Sequence, residues 1–373
     1  MAKKILICFG TRPEAIKMCA LVHALKATHY DVEVCVTAQH RQMLDQVLDF
    51  FEVVPDYDLD IMKPNQSLNE LSSRIFIEMD AVLQKAQPDL VLVHGDTSTS
   101  SICAWAAFHC GIKTGHVEAG LRTYNKYAPF PEEVNRQVTA RIAEYHFAPT
   151  ALSKNNLLNE HIAEEHILVT GNTVIDSLLW TVAKLDGGFS NDKIAHLNST
   201  VDFSKKVILV TGHRRENFGD GFQNICKALA NIANNADVEI VFPVHLNPNV
   251  QKPVMQLLSA YQNIHLIEPL DYPSFVWLMK KSYLIITDSG GVQEEAPSLG
   301  KPVLVMRETT ERPEAVEAGT IKLVGTSYEM ISEKTFELLN DANVYDAMSK
   351  SYNPYGDGKA NARIVDFMKQ KLQ

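Results

Sequence analysis

Three carboxylates stand where predicted strands or loops end, in positions from which side chains can move protons. Asp96 follows the apolar run at 89–93, Glu118 follows the run at 113–117, and Glu132 comes after a proline-rich loop. Carboxylates that lie close together repel one another, which raises their pKa values and prepares them for proton transfer. Any one of them alone could simply cap a helix or favour its dipole. Three in such positions predict an acid–base site.

A glycine turn near the end of the chain has the character of a phosphate site. The segment 288–295 is predicted to form a strand end, a turn and a helix start, and Gly290 and Gly291 leave no side chain in the way of an incoming group. The first N–H groups of a helix favour an anion. Glu294 and Glu295, one turn inside, would repel a phosphate, so at least one is expected to bind something else, such as the hydroxyl pair of a ribose or sugar. The turn therefore predicts a nucleotide-sugar diphosphate, the alternative being an ordinary capped helix.

Two strand–turn–helix corners share the pattern Gly-x-Arg-x-Glu, one starting at Gly10 and the other at Gly212. Arg12 in the first corner, with Lys17 one turn further on, could hold phosphate oxygens or developing negative charge. His213 in the second corner could contact a diphosphate leaving group. The alternative is that Lys17 is solvated, that Arg12 pairs with the glutamate of its own motif, and that His213 only caps or packs.

Short apolar runs alternate with amphipathic helical stretches along the whole chain. The runs are continuously apolar, which indicates strands buried on both faces, and hence parallel sheets with helices on each side. Such sheets bind ligands at the carboxyl ends of their strands, and two of them are expected to face one cleft. Strands are predicted at 5–9, 32–37, 90–94, 113–117, 146–148, 207–211, 239–243, 264–267, 284–287, 303–306 and 321–324. Helices are predicted at 15–27, 41–51, 68–85, 98–109, 222–234, 250–261, 274–281, 292–299 and 359–372, with short helices beside a linker at 186–204.

Composition narrows the class of protein. A chain of 373 residues is expected to form two domains, and a net charge of −10 disfavours nucleic acid or an anionic membrane as the main partner. Six cysteines without a CxxC pair, and no visible signal peptide, predict a cytoplasmic protein with reduced cysteines. Neither HExxH nor paired Cys/His spacing is present, and no GxGxxG follows a strand, so we expect no metal and no tightly bound dinucleotide cofactor.

These motifs, taken in order, resemble the non-hydrolysing UDP-N-acetylglucosamine 2-epimerase family. The resemblance covers nearly the whole chain, through the segments 10–14, 93–97, 116–122, 131–133, 171–176, 212–217, 243–245 and 288–312. It implies the glycosyltransferase-B architecture, in which two Rossmann-like domains border a deep cleft. The first domain would span 1–172, carry the catalytic carboxylates and be joined by a C-terminal helix at 359–373; the UDP-binding domain would span 173–358.

The family's reaction interconverts UDP-N-acetylglucosamine (UDP-GlcNAc) and UDP-N-acetylmannosamine. The hydrogen at C2 is not beside a carbonyl, so direct deprotonation is out of reach, and oxidation at C3 would need a nicotinamide. The resemblance implies that UDP is eliminated across C1–C2 to give a 2-acetamidoglucal and is then added back, with the proton delivered to the other face. It also implies a homodimer and a product that supplies N-acetylmannosamine units for bacterial surface polysaccharide.

The resemblance carries over residue by residue. The catalytic positions correspond to Asp96, Glu118, Glu132 and His213. Which carboxylate serves which face of C2 stays open, and His213 would stabilise the departing diphosphate with Arg12 and Lys17. The other implied contacts are Ser289, Gly290 and Gly291 with phosphate, Glu295 with the ribose, Phe275 and the backbone near Leu270 with the uracil, and Arg312 with the sugar. Leu270 replaces a glutamine often found in the family, so only a backbone contact would survive there.

Some bacterial members of the family also bind a second UDP-GlcNAc as an allosteric activator. We hypothesise such a site here at Gln39, His40, Gln42, Met43, Arg74 and His245. Three other functions compete with epimerisation: a glycosyltransferase of the same architecture, a hydrolysing epimerase that releases free sugar, and a non-catalytic nucleotide-sugar sensor. The intact carboxylates argue against the sensor.

Overall fold

The computed structural model describes residues 2–38, 41–63, 65–310 and 312–372. The chain folds into two units, one reaching Trp180 and resuming at Tyr355, and the other spanning Thr181–Pro354. The sequence placed these boundaries after residues 172 and 358. The first boundary differs because a continuous helix, Thr173–Asp186, runs from one unit into the next.

The described part of the first unit is built on a parallel sheet of seven strands in the order β3-β2-β1-β4-β5-β6-β7. The strands are β1 Lys4–Phe9, β2 Asp31–Val36, β3 Tyr57–Asp58, β4 Leu90–His94, β5 Lys113–Val117, β6 Tyr145–Ala148 and β7 Ile167–Val169. Its helices are α1 Arg12–Lys26, α2 Arg41–Phe51, α3 Leu68–Ala86, α4 Ser98–His109, α5 Glu132–Ile142, α6 Ala151–Asn159, the first half of α7 Thr173–Asp186, and the last helix of the chain, α16 Ala360–Lys371.

The second unit repeats the plan, and its described residues form a parallel sheet of six strands in the order β10-β9-β8-β11-β12-β13. The strands are β8 Lys206–Thr211, β9 Val238–Pro243, β10 Ile264–Ile267, β11 Leu284–Thr287, β12 Val303–Val305 and β13 Ile321–Leu323. Its helices are α8 Asp192–Thr200, α9 Asp220–Asn235, α10 Pro248–Leu258, α11 Tyr272–Lys281, α12 Gly290–Glu295, α13 Pro313–Glu317, α14 Tyr328–Asn340 and α15 Ala342–Ser349. The predicted α/β class with two parallel sheets is confirmed.

Both sheets reverse their direction of growth beside the first strand of the unit. In the first unit β1 lies between β2 and β4, and in the second β8 lies between β9 and β11. Open α/β sheets bind ligands at such switch points, just beyond the carboxyl ends of the strands. Both Gly-x-Arg-x-Glu corners occupy these points, since Gly10 follows β1 and Gly212 follows β8.

Burial explains why the strands read as continuous apolar runs. Every residue from Ile5 to Phe9 in β1 is fully buried. In the second unit Ile208 and Val210 of β8 pack with Phe222 of α9 in one cluster. Burial of a large apolar side chain contributes roughly 1.5–3 kcal/mol. The covered faces of both sheets therefore hold the strand ends in place.

Two helix boundaries differ from the prediction for local reasons. Helix α1 begins at Arg12 instead of residue 15 because Thr11 and Glu14 form a capping box, in which the Thr11 side chain accepts from Glu14 N and the Thr11 N–H donates to Glu14 Oε2 at 2.8 Å. The helix expected at 292–299 is α12 followed by a 3₁₀ turn, Ala296–Leu299. Pro297 has no N–H to continue the α-helical ladder.

The cysteines form no disulfide bond in this fold. All six are free; five are buried and Cys110 is exposed. None of the described helices is long and apolar enough to span a bilayer. Within the described ranges, no three His, Cys, Asp or Glu side chains are grouped as metal ligands.

The last helix is held in the first unit by a carboxylate from α7. Asp176 Oδ1 accepts from Asn361 N at 2.9 Å, and its Oδ2 accepts from Ala360 N at 3.1 Å, so it caps α16 from a distance. We expect Asp176→Ala to lower the free energy of unfolding by about 1–2 kcal/mol, because two helix-start N–H groups and the dipole lose their partner. Thermal denaturation measures this. Asp366→Ala, which removes an exposed carboxylate from α16 itself, is the control, and equal losses in the two variants would contradict the capping role.

Candidate active site

The first unit brings the predicted carboxylates to one edge of its sheet. Asp96 lies in the turn between β4 and α4, Glu118 follows β5, and Glu132 opens α5. Strands β4 and β5 are paired in parallel, and Gly95 N donates to Val117 O at 2.9 Å, which draws the two turns together. A side chain on Gly95 would lie 3.7 Å from Glu118 Oε1. We call Asp96, Glu118 and Glu132 the carboxylate cluster.

Asp96 is held by α5. Its Oδ2 accepts from Arg136 Nη2 at 2.5 Å, and Asn135 Nδ2 donates to its backbone oxygen at 2.9 Å. Burial raises the pKa of Asp96, the Arg136 charge opposes that shift, and the negative charges of Glu118 and Glu132 raise the pKa again. The expected effect of neighbouring carboxylates is therefore present at Asp96, where burial is the larger cause.

Glu118 is fixed by a network of side chains from three directions. The Lys17 ammonium contacts Glu118 Oε2, and Asn172 Nδ2 donates to the same oxygen at 2.9 Å. His94 Nε2 lies 3.8 Å from it. Glu118 has a φ of +63°, in the left-handed region, which costs a residue other than glycine about 1–3 kcal/mol. The network holds this strained backbone so that the carboxylate stays at the cluster, and Lys17 serves here as its counter-charge.

Two buried histidines beside the cluster are neutral. Burial lowers the pKa of His94 to about 4, although the Glu118 charge acts in the opposite direction. Burial likewise lowers the pKa of His116 to about 3. His116 Nε2 is 2.7 Å from Gly95 O, which fits an N–H donated to the turn that carries Asp96. These rings shape the site without adding positive charge.

The two glutamates that open α5 have different tasks. Glu133 is fully buried and accepts from Thr123 N and Tyr124 N at 3.0 Å each, so it ties the preceding loop to the helix. Glu132 is half-buried and so is the more exposed of the two. The sequence left open which of the pair is structural, and the contacts assign that task to Glu133.

Glu14 is a buried carboxylate that sequence reasoning did not single out as part of the site. It accepts from Gly10 N at 3.1 Å and from Thr97 Oγ1 at 2.7 Å, so it links the turns after β1 and β4. Burial raises the pKa of Glu14 to about 6, while its hydroxyl and amide donors oppose the shift. Glu14 is the last residue of the first Gly-x-Arg-x-Glu pattern, and this pattern is the feature of the sequence that could have identified it.

The guanidinium of Arg312 lies against the glycine turn of the second unit. A Cβ on Gly290 would lie 2.6–2.9 Å from the guanidinium atoms of Arg312, which donates to Glu294 Oε1 from Nε at 2.8 Å. Glu295 instead accepts from the Tyr272 hydroxyl at 2.7 Å. The two acidic residues therefore have different partners within the protein. Arg312, which the resemblance assigned to the sugar, lies at the turn assigned to phosphate.

His213 lies at the switch point of the second unit, directly after Gly212. Its ring stacks on that of His245, with centroids 5.4 Å apart. Asp288, at the end of β11, accepts from His213 N and Arg214 N at 2.8 Å each. Asp288 received no role from sequence reasoning, although it begins the glycine-turn segment.

The residues assigned to the uracil lie around the start of α11. Phe275 is half-buried in the first turn of this helix, where its N–H donates to Asp271 O at 3.0 Å. Leu270 precedes the turn and is also half-buried. It borders a cavity of about 380 Å³ that is lined by Asp192, Lys193, His196, Leu197, Leu266, Ile267, Glu268 and Leu270. Leu270 therefore lies just before the N-terminus of α11, and Phe275 lies in its first turn.

The described residues of the hypothesised allosteric site belong to different elements, some in the first unit and one in the second. Gln39 and His40 lie outside the described residues. Gln42 and Met43 are exposed in the first turn of α2, whereas Arg74 donates to Ile61 O at 3.1 Å and to Gln66 Oε1 at 2.6 Å. His245 belongs to the second unit and contacts His213. The allosteric site stays a hypothesis.

The fold and the two switch points define an α/β protein of the glycosyltransferase-B type. The crystal structure of the glycosyltransferase of kitacinnamycin shares this fold, with a TM-score of 0.66 at 12% identity over 100% of both chains. Narrower similarity comes from the sequence. A family model described as UDP-N-acetylglucosamine 2-epimerase matches residues 23–369, and the chain belongs to that family.

Individual relatives agree with the family. The UDP-N-acetylglucosamine 2-epimerase of Salmonella typhimurium is 57% identical over 369 residues, which is 98% of each chain. The crystal structure of the Neisseria meningitidis UDP-GlcNAc 2-epimerase, bound to UDP-GlcNAc, is similar with a TM-score of 0.90 and 51% identity, over 98% of this chain and 100% of that one. The resemblance read from the motifs and the predicted enzyme class, a UDP-GlcNAc 2-epimerase, are confirmed.

Proposed function

We propose that this enzyme interconverts UDP-GlcNAc and UDP-N-acetylmannosamine by eliminating UDP and adding it back. The observation that carries the proposal is the carboxylate cluster. In it Asp96 and Glu118 follow adjacent strands, and each is paired with a positive charge, Asp96 with Arg136 and Glu118 with Lys17. The UDP-GlcNAc in the crystal structure of the Neisseria meningitidis relative supports the choice of substrate.

The elimination needs a base for the C2 proton and stabilisation for UDP. The C1–O bond breaks with its electron pair going to UDP, the C2–H pair becomes the C1=C2 double bond of 2-acetamidoglucal, and a carboxylate takes the proton. In the return step a carboxyl group gives a proton to the opposite face of C2, and the UDP oxygen bonds to C1. We assign these transfers to the carboxylate cluster, whose positioned carboxyl groups each contribute typically 10²–10⁴-fold.

The second unit is assigned to UDP. Ser289, Gly290 and Gly291 would hold the phosphates beside the Arg312 guanidinium, because the bare backbone at the glycines lets phosphate oxygens approach it closely. The other proposed contacts are His213, Arg12 and Lys17 with the leaving diphosphate, Glu295 with the ribose, and Phe275 with the backbone near Leu270 for the uracil. Tight holding keeps the expelled UDP available for re-addition.

Deuterium incorporation tests this mechanism. The enzyme is incubated with UDP-GlcNAc in D₂O, and proton NMR follows C2 and the anomeric signals. We expect both UDP-sugars at equilibrium, deuterium at C2 in each, and UDP retained in both without accumulation of free UDP.

The same spectra separate the competing functions. Free N-acetylmannosamine with UDP accumulating would point to a hydrolysing epimerase, and binding without C2 exchange would point to a sensor. Retention of protium at C2 in the mannosamine product would overturn the elimination route. Use of the product for surface polysaccharide, a homodimer and allosteric activation remain further proposals from the family resemblance. Sedimentation and substrate-saturation curves test the last two.

A further inference from the structure

His213 and Asp288 form a carboxylate–imidazole pair at the switch point of the second unit. His213 Nδ1 lies 3.4 Å from Asp288 Oδ1. The Asp288 side chain is fully buried, whereas that of His213 is 45% exposed, so the ring presents one edge to a buried carboxylate and another to the surface. A carboxylate that accepts a hydrogen bond from one ring nitrogen selects the tautomer of a histidine, and Asp288 lies within reach of Nδ1.

The two carboxylate oxygens of Asp288 differ in the hydrogen bonds that they accept. Oδ2 accepts from His213 N, Arg214 N and Asn217 Nδ2, at 2.8, 2.8 and 3.2 Å. Oδ1 is buried and accepts no hydrogen bond from the described residues. A buried carboxylate oxygen without a donor is costly. The nearby Nδ1 of His213 is the group that can supply one.

The sheet fixes where this carboxylate stands. Strands β8 and β11 pair with Thr211 opposite Thr287, and Asp288 N donates to Thr211 O at 3.2 Å. The residues that follow the two strands, Gly212 and Asp288, are therefore neighbours by register. His213 comes next after Gly212, within reach of the Asp288 side chain.

We propose that Asp288 is a positioning residue for His213: Asp288 Oδ1 accepts the Nδ1–H of the imidazole, which orients Nε2 toward the departing diphosphate so that the protonated ring can donate to it. This inference rests on the proposed function, because it gives His213 a leaving group to stabilise. Asp288 touches no reacting atom and acts through the ring. Its negative charge also favours the imidazolium, which can donate Nε2–H to a phosphate oxygen as charge develops there.

The groups that act on the ring set the direction of the pH effect. Burial lowers the pKa of His213, the Asp288 charge raises it, and the charges of His245 and Arg214 lower it. Removal of the Asp288 charge therefore leaves only influences that lower the pKa. The imidazolium should then be lost at a lower pH than in the unaltered enzyme.

Asp288→Asn separates this role from a structural one. The site of Oδ2 receives three N–H donors, so the amide oxygen should take that place and the amide NH₂ should face His213 Nδ1. An NH₂ there requires Nδ1 to be the acceptor, which forces the proton to Nε2. The substitution should thus reverse the tautomer while it keeps the anchoring of the loop.

The test combines side-chain NMR with kinetics on the full-length enzyme. ¹⁵N-imidazole spectra, with His213 assigned by its absence from His213→Gln, should show the Nδ1–H tautomer in the unaltered enzyme and the Nε2–H tautomer in Asp288→Asn, with a lower titration midpoint. We expect kcat to fall about 10- to 100-fold in Asp288→Asn, as for other outer-shell partners of functional histidines, with little change in KM. In the His213→Gln background, Asp288→Asn should cost little more, because residues that act as a unit are not additive.

Each contrary result has a distinct meaning. An Nε2–H tautomer in the unaltered enzyme, or full additivity in the double variant, overturns the positioning role. Asn217→Ala is the matched control, since it removes one donor to Oδ2 and leaves Oδ1 to His213; a reversed tautomer there would also overturn the assignment. Unchanged turnover in His213→Gln defeats the leaving-group role of His213 itself, and so the inference with it, while C2 deuteration still tests the elimination separately.

Discussion

Asp96→Asn, Glu118→Gln and Glu132→Gln should each lower turnover on the order of a hundredfold or more, with smaller effects on UDP binding. Each change keeps the shape of the side chain and removes its ability to take or give a proton. The NMR assay gives kcat, and calorimetry with UDP gives binding. Loss of C2 deuteration together with loss of turnover would assign the defect to proton transfer.

The three variants should not be equivalent, because their surroundings differ. Glu118→Gln removes the carboxylate that the Lys17 ammonium contacts, whereas Asp96→Asn removes one of two carboxylates at Arg136, whose Nη1 also lies 3.6 Å from Glu133 Oε2. Glu144→Gln is a suitable control, since this carboxylate lies in the same unit but is 39% exposed and pairs with Lys113 at 3.8 Å. Unaltered rates in all three cluster variants would refute the assignment of the site.

Gly120→Ala should unfold or severely destabilise the first unit. Gly120 has a φ of +92°, and a Cβ there would collide with the backbone of Ser153, whose carbonyl carbon would be 2.8 Å away. The left-handed backbone alone costs a residue with a Cβ about 1–3 kcal/mol, and a collision with main chain adds to it. Asn156 Nδ2 also donates to Gly120 O at 2.9 Å, so α6 cannot easily move away.

Gly111→Ala is the matched control for this prediction. Gly111 lies in the same unit with a φ of +70°, but a Cβ there would meet nothing within 4 Å. The difference in melting temperature between the two variants isolates the collision from the backbone strain. If Gly120→Ala melts no lower than Gly111→Ala, the close packing of α6 on the Glu118 turn is wrong.

Local patterns predicted many of the buried, regular elements, although the long helices α7 and α14 were not predicted. Strands β4, β5, β10 and β11 and helices α2 and α4 begin and end where expected. Apolar runs reveal β4 and β11 directly, and amphipathic periodicity reveals α2. The edge strands β3 and β7 went unpredicted. They have two and three residues, and pairing with a neighbouring strand defines them.

The candidate site, like the fold, was predicted only in part from the sequence. The carboxylates of the cluster were visible because strand ends and stiff loops mark them in the chain. Their partners were not, since Arg136 is 40 residues from Asp96, Asn172 is 54 from Glu118, and Asp288 is 75 from His213. Nothing in one sequence links such positions until the strands are placed side by side. The pKa of Asp96 and the orientation of His213 depend on these distant partners.

The two Gly-x-Arg-x-Glu corners differ in how far along the chain their closing carboxylate lies. The corner after β1 is closed by Glu14, four residues from Gly10, whereas the corner after β8 is closed by Asp288, 75 residues from His213. Interactions between distant residues carry a larger loop-closure entropy and form later in folding. The first corner can therefore assemble together with its own helix, while the second must wait until β11 docks beside β8. Two corners with one motif should thus differ in folding order, and hydrogen exchange at His213 N and Arg214 N should report the opening of the later one.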